Sequence, residues 1–84
     1  MGLHARPSVK LTKLAKGFAS RIALALEEDG PWIDAKSIVK VMATKAPKGS
    51  MLYLRAEGAD AGDAIDELVD LVQRDFDEGD THAA

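Results

Sequence analysis

The chain has 84 residues, 46% of them apolar and 30% charged, with a formal charge of −3. That length holds one domain with one modest core, and no apolar run approaches the roughly 20 residues of a membrane-spanning helix. The acidic balance argues against general nucleic-acid binding, and the absence of cysteine excludes a disulfide framework and every thiolate metal ligand or nucleophile.

In chain order, residues 5–16 read as a helix. Pro7 suits the first turn, where a missing N–H costs nothing. Leu11, Leu14, Ala15 and Phe18 recur at helical spacing, and Gly17 is a good C-terminal stop. Residues 21–26 alternate large and small, so Ile22, Leu24 and Leu26 share one face of a strand. Glu27 to Pro31 forms a hairpin turn, and Trp32 to Asp34 a short return strand, with Trp32 read as a packing residue. Ser37 stands where a helix cap belongs, ahead of Ile38, Val41 and Met42 at helical spacing. Pro47, Lys48 and Gly49 end that short helix.

Residues 50–56 read as a further strand, with Leu52 and Leu54 on one face and Met51, Tyr53 and Arg55 on the other. Asp60 is expected to cap a last helix, with Asp63 in a capping-box-like position. Ile65, Leu68, Val69, Val72 and Phe76 form its apolar stripe, which is expected to be core. Residues 77–84 are small and polar and read as a frayed tail, in which His82 is assigned nothing. The order is helix, strand, strand, helix, strand, helix. It predicts a single domain over 1–84, an α+β two-layer sandwich with helices on one face of an antiparallel sheet. The other face is left to water, which suits Arg55 and the small Ala23 and Ala25.

Charge is unevenly placed along this order. Bases concentrate at Arg6, Lys10, Lys13, Lys16, Arg21, Lys36, Lys40, Lys45 and Lys48, and acids dominate from Glu57 to Asp80. A basic end steers an acidic or phosphorylated partner, although an ordinary solvated surface has the same composition.

The stretch that carries chemistry is Gly2-Leu3-His4-Ala5-Arg6-Pro7. His4 falls immediately before the first helical turn, where backbone N–H groups lack intrahelical partners and the helix dipole places partial positive charge. Such a terminus is an anion site. The N–H groups of Ala5 and Arg6 are the natural donors to a phosphoryl group on the imidazole, since Pro7 has none, and the Arg6 guanidinium adds a charge-assisted hydrogen bond. No general base for activating water stands nearby, so the pattern suits a carrier of phosphoryl groups, not a hydrolase and not a stand-alone catalyst. From these residues alone, the commoner readings are His4 as a polar helix-end residue and Arg6 as a surface charge. No metal and no cofactor are expected.

Gly2-Leu3-His4-Ala5-Arg6-Pro7 resembles the phosphohistidine signature of HPr, the histidine-containing phosphocarrier family of the bacterial phosphoenolpyruvate-dependent sugar phosphotransferase system (PTS). The similarity continues through Ala15-Lys16-Gly17-Phe18, Ala35-Lys36-Ser37-Ile38, Lys48-Gly49 and Ala56-Glu57-Gly58-Ala59-Asp60, in family order. The resemblance implies an open-faced sandwich with three helices on one sheet face. It implies that His4 is the phosphoryl acceptor, on its Nδ1, and that Arg6 assists transfer. Enzyme I is then the donor, an enzyme IIA component the acceptor, and the cytoplasm the location, with no membrane or nucleic-acid partner. Ser37 matches a regulatory serine that a dedicated ATP-dependent kinase, HPr kinase/phosphorylase, modifies in some bacteria; helix capping is its other reading. Ile38, Val39 and Met42 match the family's partner-docking helix, and three apolar residues on two turns cannot all face a core.

The family fold opens with a strand ahead of the Gly-x-His loop, and the chain as given begins at Met1-Gly2 without it. A different start site, a fragment, or a strand from another chain each accounts for this. The expectation is weak stability or oligomerisation. Two further functions are weighed beside phosphocarriage. One is a regulatory binding module switched at Ser37, and the other an HPr-like domain of a multidomain phosphotransferase.

Overall fold

The computed structural model describes residues 5–45, 51–74 and 76. Helix α1 spans Ala5–Lys16, with Pro7 in its first turn and Lys13 and Lys16 in its last, where cations complement the helix dipole. Strand β1 (Arg21–Ala25) follows, then β2 (Ile33–Asp34), α2 (Ile38–Ala43), β3 (Tyr53–Glu57) and α3 (Ala61–Gln73). The predicted order is reproduced. The strands are shorter than read: Leu26, Trp32, Met51 and Leu52 lie outside them, and Glu57 extends the last one. The break at Pro47–Gly49 and the tail 77–84 lie outside the described residues.

The three strands form one antiparallel sheet in the order β2-β1-β3. Ala23 stands opposite Asp34 on one side and Arg55 on the other, while Leu24 stands between Ile33 and Leu54. The period of two therefore puts Ile22 and Leu24 on the helix-covered face and Arg21, Ala23, Arg55 and Glu57 on the open one. Trp32 lies on that open face, with the Arg55 guanidinium carbon 4.3 Å from its ring centroid, a cation–π contact. Ala25, expected on the water side, is buried.

Helix α1 packs against both α2 and α3, α2 lies against β2, and α3 against β3 and β1. Between the layers sit Leu11 and Ala15 from α1, Ile22 and Leu24 from β1, Ala35, Val41, and Ala64, Leu68 and Leu71 from α3, joined by Phe76 from beyond α3. Burying a large aliphatic side chain stabilises by about 1.5–3 kcal/mol, so this short list holds most of the core's contribution.

Two sequence expectations about α3 are corrected. Its buried face runs through Ala64, Leu68 and Leu71; Ile65 and Val72 are half-buried and Val69 is 37% exposed. The helix is turned so that small Ala64 seats it close to the core, which hydropathy alone underweights. Asp60 occupies the N-cap position but makes no side-chain cap. Its carboxylate instead accepts the N–H groups of Ala19 at 2.8 Å and Ser20 at 2.9 Å, and the Ser20 hydroxyl. The turn between α1 and β1 offers unpaired backbone donors, and these outcompete the helix's own.

Candidate functional site

Helix α1 begins at Ala5, the residue that follows His4 in the chain. His4 itself lies outside the described residues. Ala5 and Arg6 are exposed at the opening turn, and Pro7 is buried there, which anchors the turn to the body of the protein. No acidic side chain stands in that turn. The partial positive charge of the helix start is thus not neutralised by a carboxylate of the same turn. Ser8, next along, is fully buried.

The far end of α1 is held twice. Lys36 donates from its ammonium to the Phe18 carbonyl at 2.7 Å, and Asp60 grips the amides of Ala19 and Ser20. Lys10, midway along α1, donates to the Phe76 carbonyl at 2.8 Å. These ties join α1 to both flanking helices' neighbourhoods, so the axis of α1, and with it the direction its N-terminus faces, is fixed by side chains outside the opening turn. The Asp60 carboxyl is held below its ordinary value of 3.8, first by the Ser20 hydroxyl and then by the Ala19 N–H, against a small opposing effect of burial.

Ser37 caps α2, its hydroxyl accepting the Lys40 N–H at 3.3 Å. On the helix that follows, Val41 is buried, Ile38 is half-buried, Val39 is 75% exposed and Met42 is 40% exposed. The expectation that this helix cannot hide all its apolar residues is met by Val39 and Met42. Sequence reading missed Val9, which is 50% exposed on α1. The signal was present: Val9 falls opposite Leu11 on the helical wheel, among Lys13 and Lys16, where an amphipathic helix wants a polar residue. Since α1 and α2 pack side by side, the molecule presents exposed aliphatic groups on both, with Lys13, Lys16, Lys40 and Lys45 also exposed on the two helices and just beyond.

The described residues include no cluster of His, Cys, Asp or Glu able to hold a metal ion, and no described helix is long and apolar enough to cross a membrane. Among known proteins, residues 1–74 match the family model described as the PTS HPr component phosphorylation site. The phosphocarrier protein HPr of Cupriavidus necator is 43% identical over 79 residues, covering 94% of this chain and 86% of its own. That of Pseudomonas putida is 38% identical over 79 residues, covering 94% and 87%. A crystal structure of HPr from Thermoanaerobacter tengcongensis superposes with a TM-score of 0.83 at 40% identity, covering 93% of this chain and 85% of that one. With the order of elements, the open-faced sheet and the Gly-Leu-His-Ala-Arg-Pro stretch inside the matched region, these similarities make the chain a member of the HPr family, the phosphocarrier proteins of the PTS.

Proposed function

We propose that His4 accepts a phosphoryl group from phosphorylated enzyme I and passes it to an enzyme IIA component, in the cytoplasm. The observation that carries this reading is the start of α1 at Ala5, directly after His4 in the chain, with no carboxylate in its first turn. A neutral imidazole nitrogen, Nδ1 by family resemblance, forms the bond to phosphorus while the bond from phosphorus to the donor breaks. The electron pair of the broken bond leaves with the donor. The phosphoryl oxygens keep their negative charge, and the N–H groups of Ala5 and Arg6, the helix dipole and the Arg6 guanidinium are the groups assigned to hold it. Transfer to the acceptor repeats the same exchange with His4 as the leaving group.

Val39 and Met42, with Ile38 beside them, are assigned to docking. A small apolar patch rimmed by lysines suits brief encounters with acidic partners, where on-rate matters more than tight binding. Ser37 is proposed as a regulatory phosphorylation site for an HPr kinase/phosphorylase. A phosphate there replaces a cap hydroxyl at a helix N-terminus, where negative charge is favoured, and alters the charge beside the docking residues.

Incubation with phosphoenolpyruvate and enzyme I tests the central step. One acid-labile phosphoryl group is expected on the wild-type chain and none on His4→Ala. An unmodified wild type, or a His4→Ala variant that still gains the group, overturns the assignment.

A further inference from the structure

The face of the sheet turned away from the helices carries a cleft of about 450 Å³ that the phosphoryl-transfer reading does not use. That volume lies within the range of small-molecule sites. The cleft floor is Ala23 on the central strand, small and only half-buried between Asp34 on β2 and Arg55 on β3. One end is cationic. Arg21 stands there exposed, and Lys36 reaches the same end with its ammonium on the Phe18 carbonyl at 2.7 Å, a neutral partner that leaves its charge in place. Among the described residues, neither Arg21 nor Arg55 forms an ion pair with a carboxylate. The other end is aromatic. The register continued by one pair sets Trp32 opposite Ala25, four residues from Arg21 along β1, or roughly 13 Å. There the Arg55 guanidinium carbon lies 4.3 Å from the Trp32 ring centroid.

We propose that this cleft binds a nucleoside monophosphate, with the phosphate on Arg21 and Lys36 and the base on the Trp32–Arg55 pair. Three features of the cleft match three parts of that ligand in the same order. The Arg21 guanidinium and the Lys36 ammonium supply charge-assisted hydrogen bonds to a phosphate. Indole and guanidinium both offer flat faces on which a base stacks. Between the two ends, Asp34 accepts the Lys36 N–H on Oδ1 at 2.9 Å, and its Oδ2 remains to accept a ribose hydroxyl. A sugar phosphate has no ring for the indole, and an unphosphorylated nucleoside has no charge for the cations. Glu57, opposite Arg21 on β3, offsets part of the positive charge at the phosphate end. Two cations against one carboxylate suit a single phosphate, not the repeating phosphates of a nucleic acid. The helices lie on the other side of the sheet, so a ligand here leaves the start of α1, Val39 and Met42 uncovered. The proposal therefore does not rest on the phosphoryl-transfer reading.

The chain has one tryptophan, so its indole N–H gives a single nuclear magnetic resonance signal that reports the aromatic end of the cleft. Titration with AMP is expected to shift that signal saturably, with a midpoint below roughly 1 mM. Adenosine and ribose 5-phosphate, which each lack one of the two anchors, are expected to bind at least about tenfold more weakly. Arg21→Gln, at an exposed position, should leave far-UV circular dichroism unchanged, weaken AMP about tenfold and leave adenosine where it was. Glu57→Gln removes the opposing charge and should tighten AMP severalfold. An indole signal unmoved by AMP at about ten times that midpoint, adenosine binding as tightly as AMP, or an Arg21→Gln chain with wild-type affinity for AMP overturns the inference. A single-stranded oligonucleotide that binds more tightly than AMP at equal nucleotide concentration also overturns it, and marks the face as a nucleic-acid surface.

Discussion

Asp60 holds Ser20 across forty positions of sequence, its Oδ1 accepting the Ser20 N–H at 2.9 Å together with the Ser20 hydroxyl. Oδ2 of the same carboxylate takes the Ala19 N–H at 2.8 Å. One side chain at the start of α3 thereby sets the turn by which α1 enters β1. Because those hydrogen bonds favour the ionised form, the Asp60 carboxyl titrates below 3.8. Its contribution to stability is present at and above that value and is lost as pH falls through the lowered, folded-state value. Asp60→Asn should therefore lower Tm at neutral pH, and the gap from wild type should close as the solution is acidified below 3.8. Thermal melts of both chains across acid pH check this, and a constant gap would contradict it.

Gly58 makes the same turn sterically exacting. A Cβ built on it lies 2.5 Å from the Ser20 Oγ and 2.7 Å from the Ser20 Cα, at a φ of +143°. Backbone and side chain of Ser20 block both directions of relief. Gly58→Ala should cost about 1–3 kcal/mol, read from urea denaturation, with the larger part of the loss appearing as faster unfolding if the turn closes late in folding.

Thr12 is a defect the chain tolerates. It is 3% exposed on α1 and its hydroxyl is buried with no hydrogen-bond partner among the described residues. Valine has nearly the same shape without the polar atom. Thr12→Val is expected to raise stability by about 1 kcal/mol in denaturant unfolding, since no bond is lost and a desolvated oxygen is removed. A destabilised variant would show that the hydroxyl is in fact bonded.

Val39 separates docking from folding. At 75% exposure its side chain contributes little to the core, so Val39→Asp should leave Tm within about a degree or two of wild type, in keeping with a surface change of under 0.5 kcal/mol. Under the docking assignment, the same variant should slow phosphoryl exchange with enzyme I and with enzyme IIA roughly tenfold, as loss of an exposed apolar contact among acidic-partner lysines implies. Stopped-flow or quench-flow transfer rates measure it. Unchanged rates with both partners would remove Val39 from the docking surface.

Most of the architecture was legible because its signals are local. Pro7 and Gly17 bracket α1, Ser37 does cap α2, and the alternation of Ile22 and Leu24 with small alanines selects the buried face of β1. What could not be read depended on contacts far along the chain. Asp60 looked like a cap because its sequence neighbours are helical, but its hydrogen bonds go to a turn forty positions earlier. The α3 stripe was placed by hydropathy on Val69, whereas close packing against the core selected Ala64. Within the candidate site, the apolar exposure of α2 followed from counting residues on two turns. Exposed Val9 escaped because one valine on a cationic helix face reads as noise until the fold shows that α1 and α2 lie together.

As proposed, His4 carries a phosphoryl group from one protein to another without losing it to water. The most direct measurement isolates the chain after phosphorylation by enzyme I, removes the donor, and mixes it in equal amounts with an enzyme IIA component while label on both proteins and in free phosphate is followed. Label is expected to leave this chain and appear on the acceptor one for one within seconds, with negligible free phosphate, and a His4→Ala chain is expected to deliver none. Label released as inorganic phosphate, or retained on the chain in the presence of every acceptor offered, would contradict it.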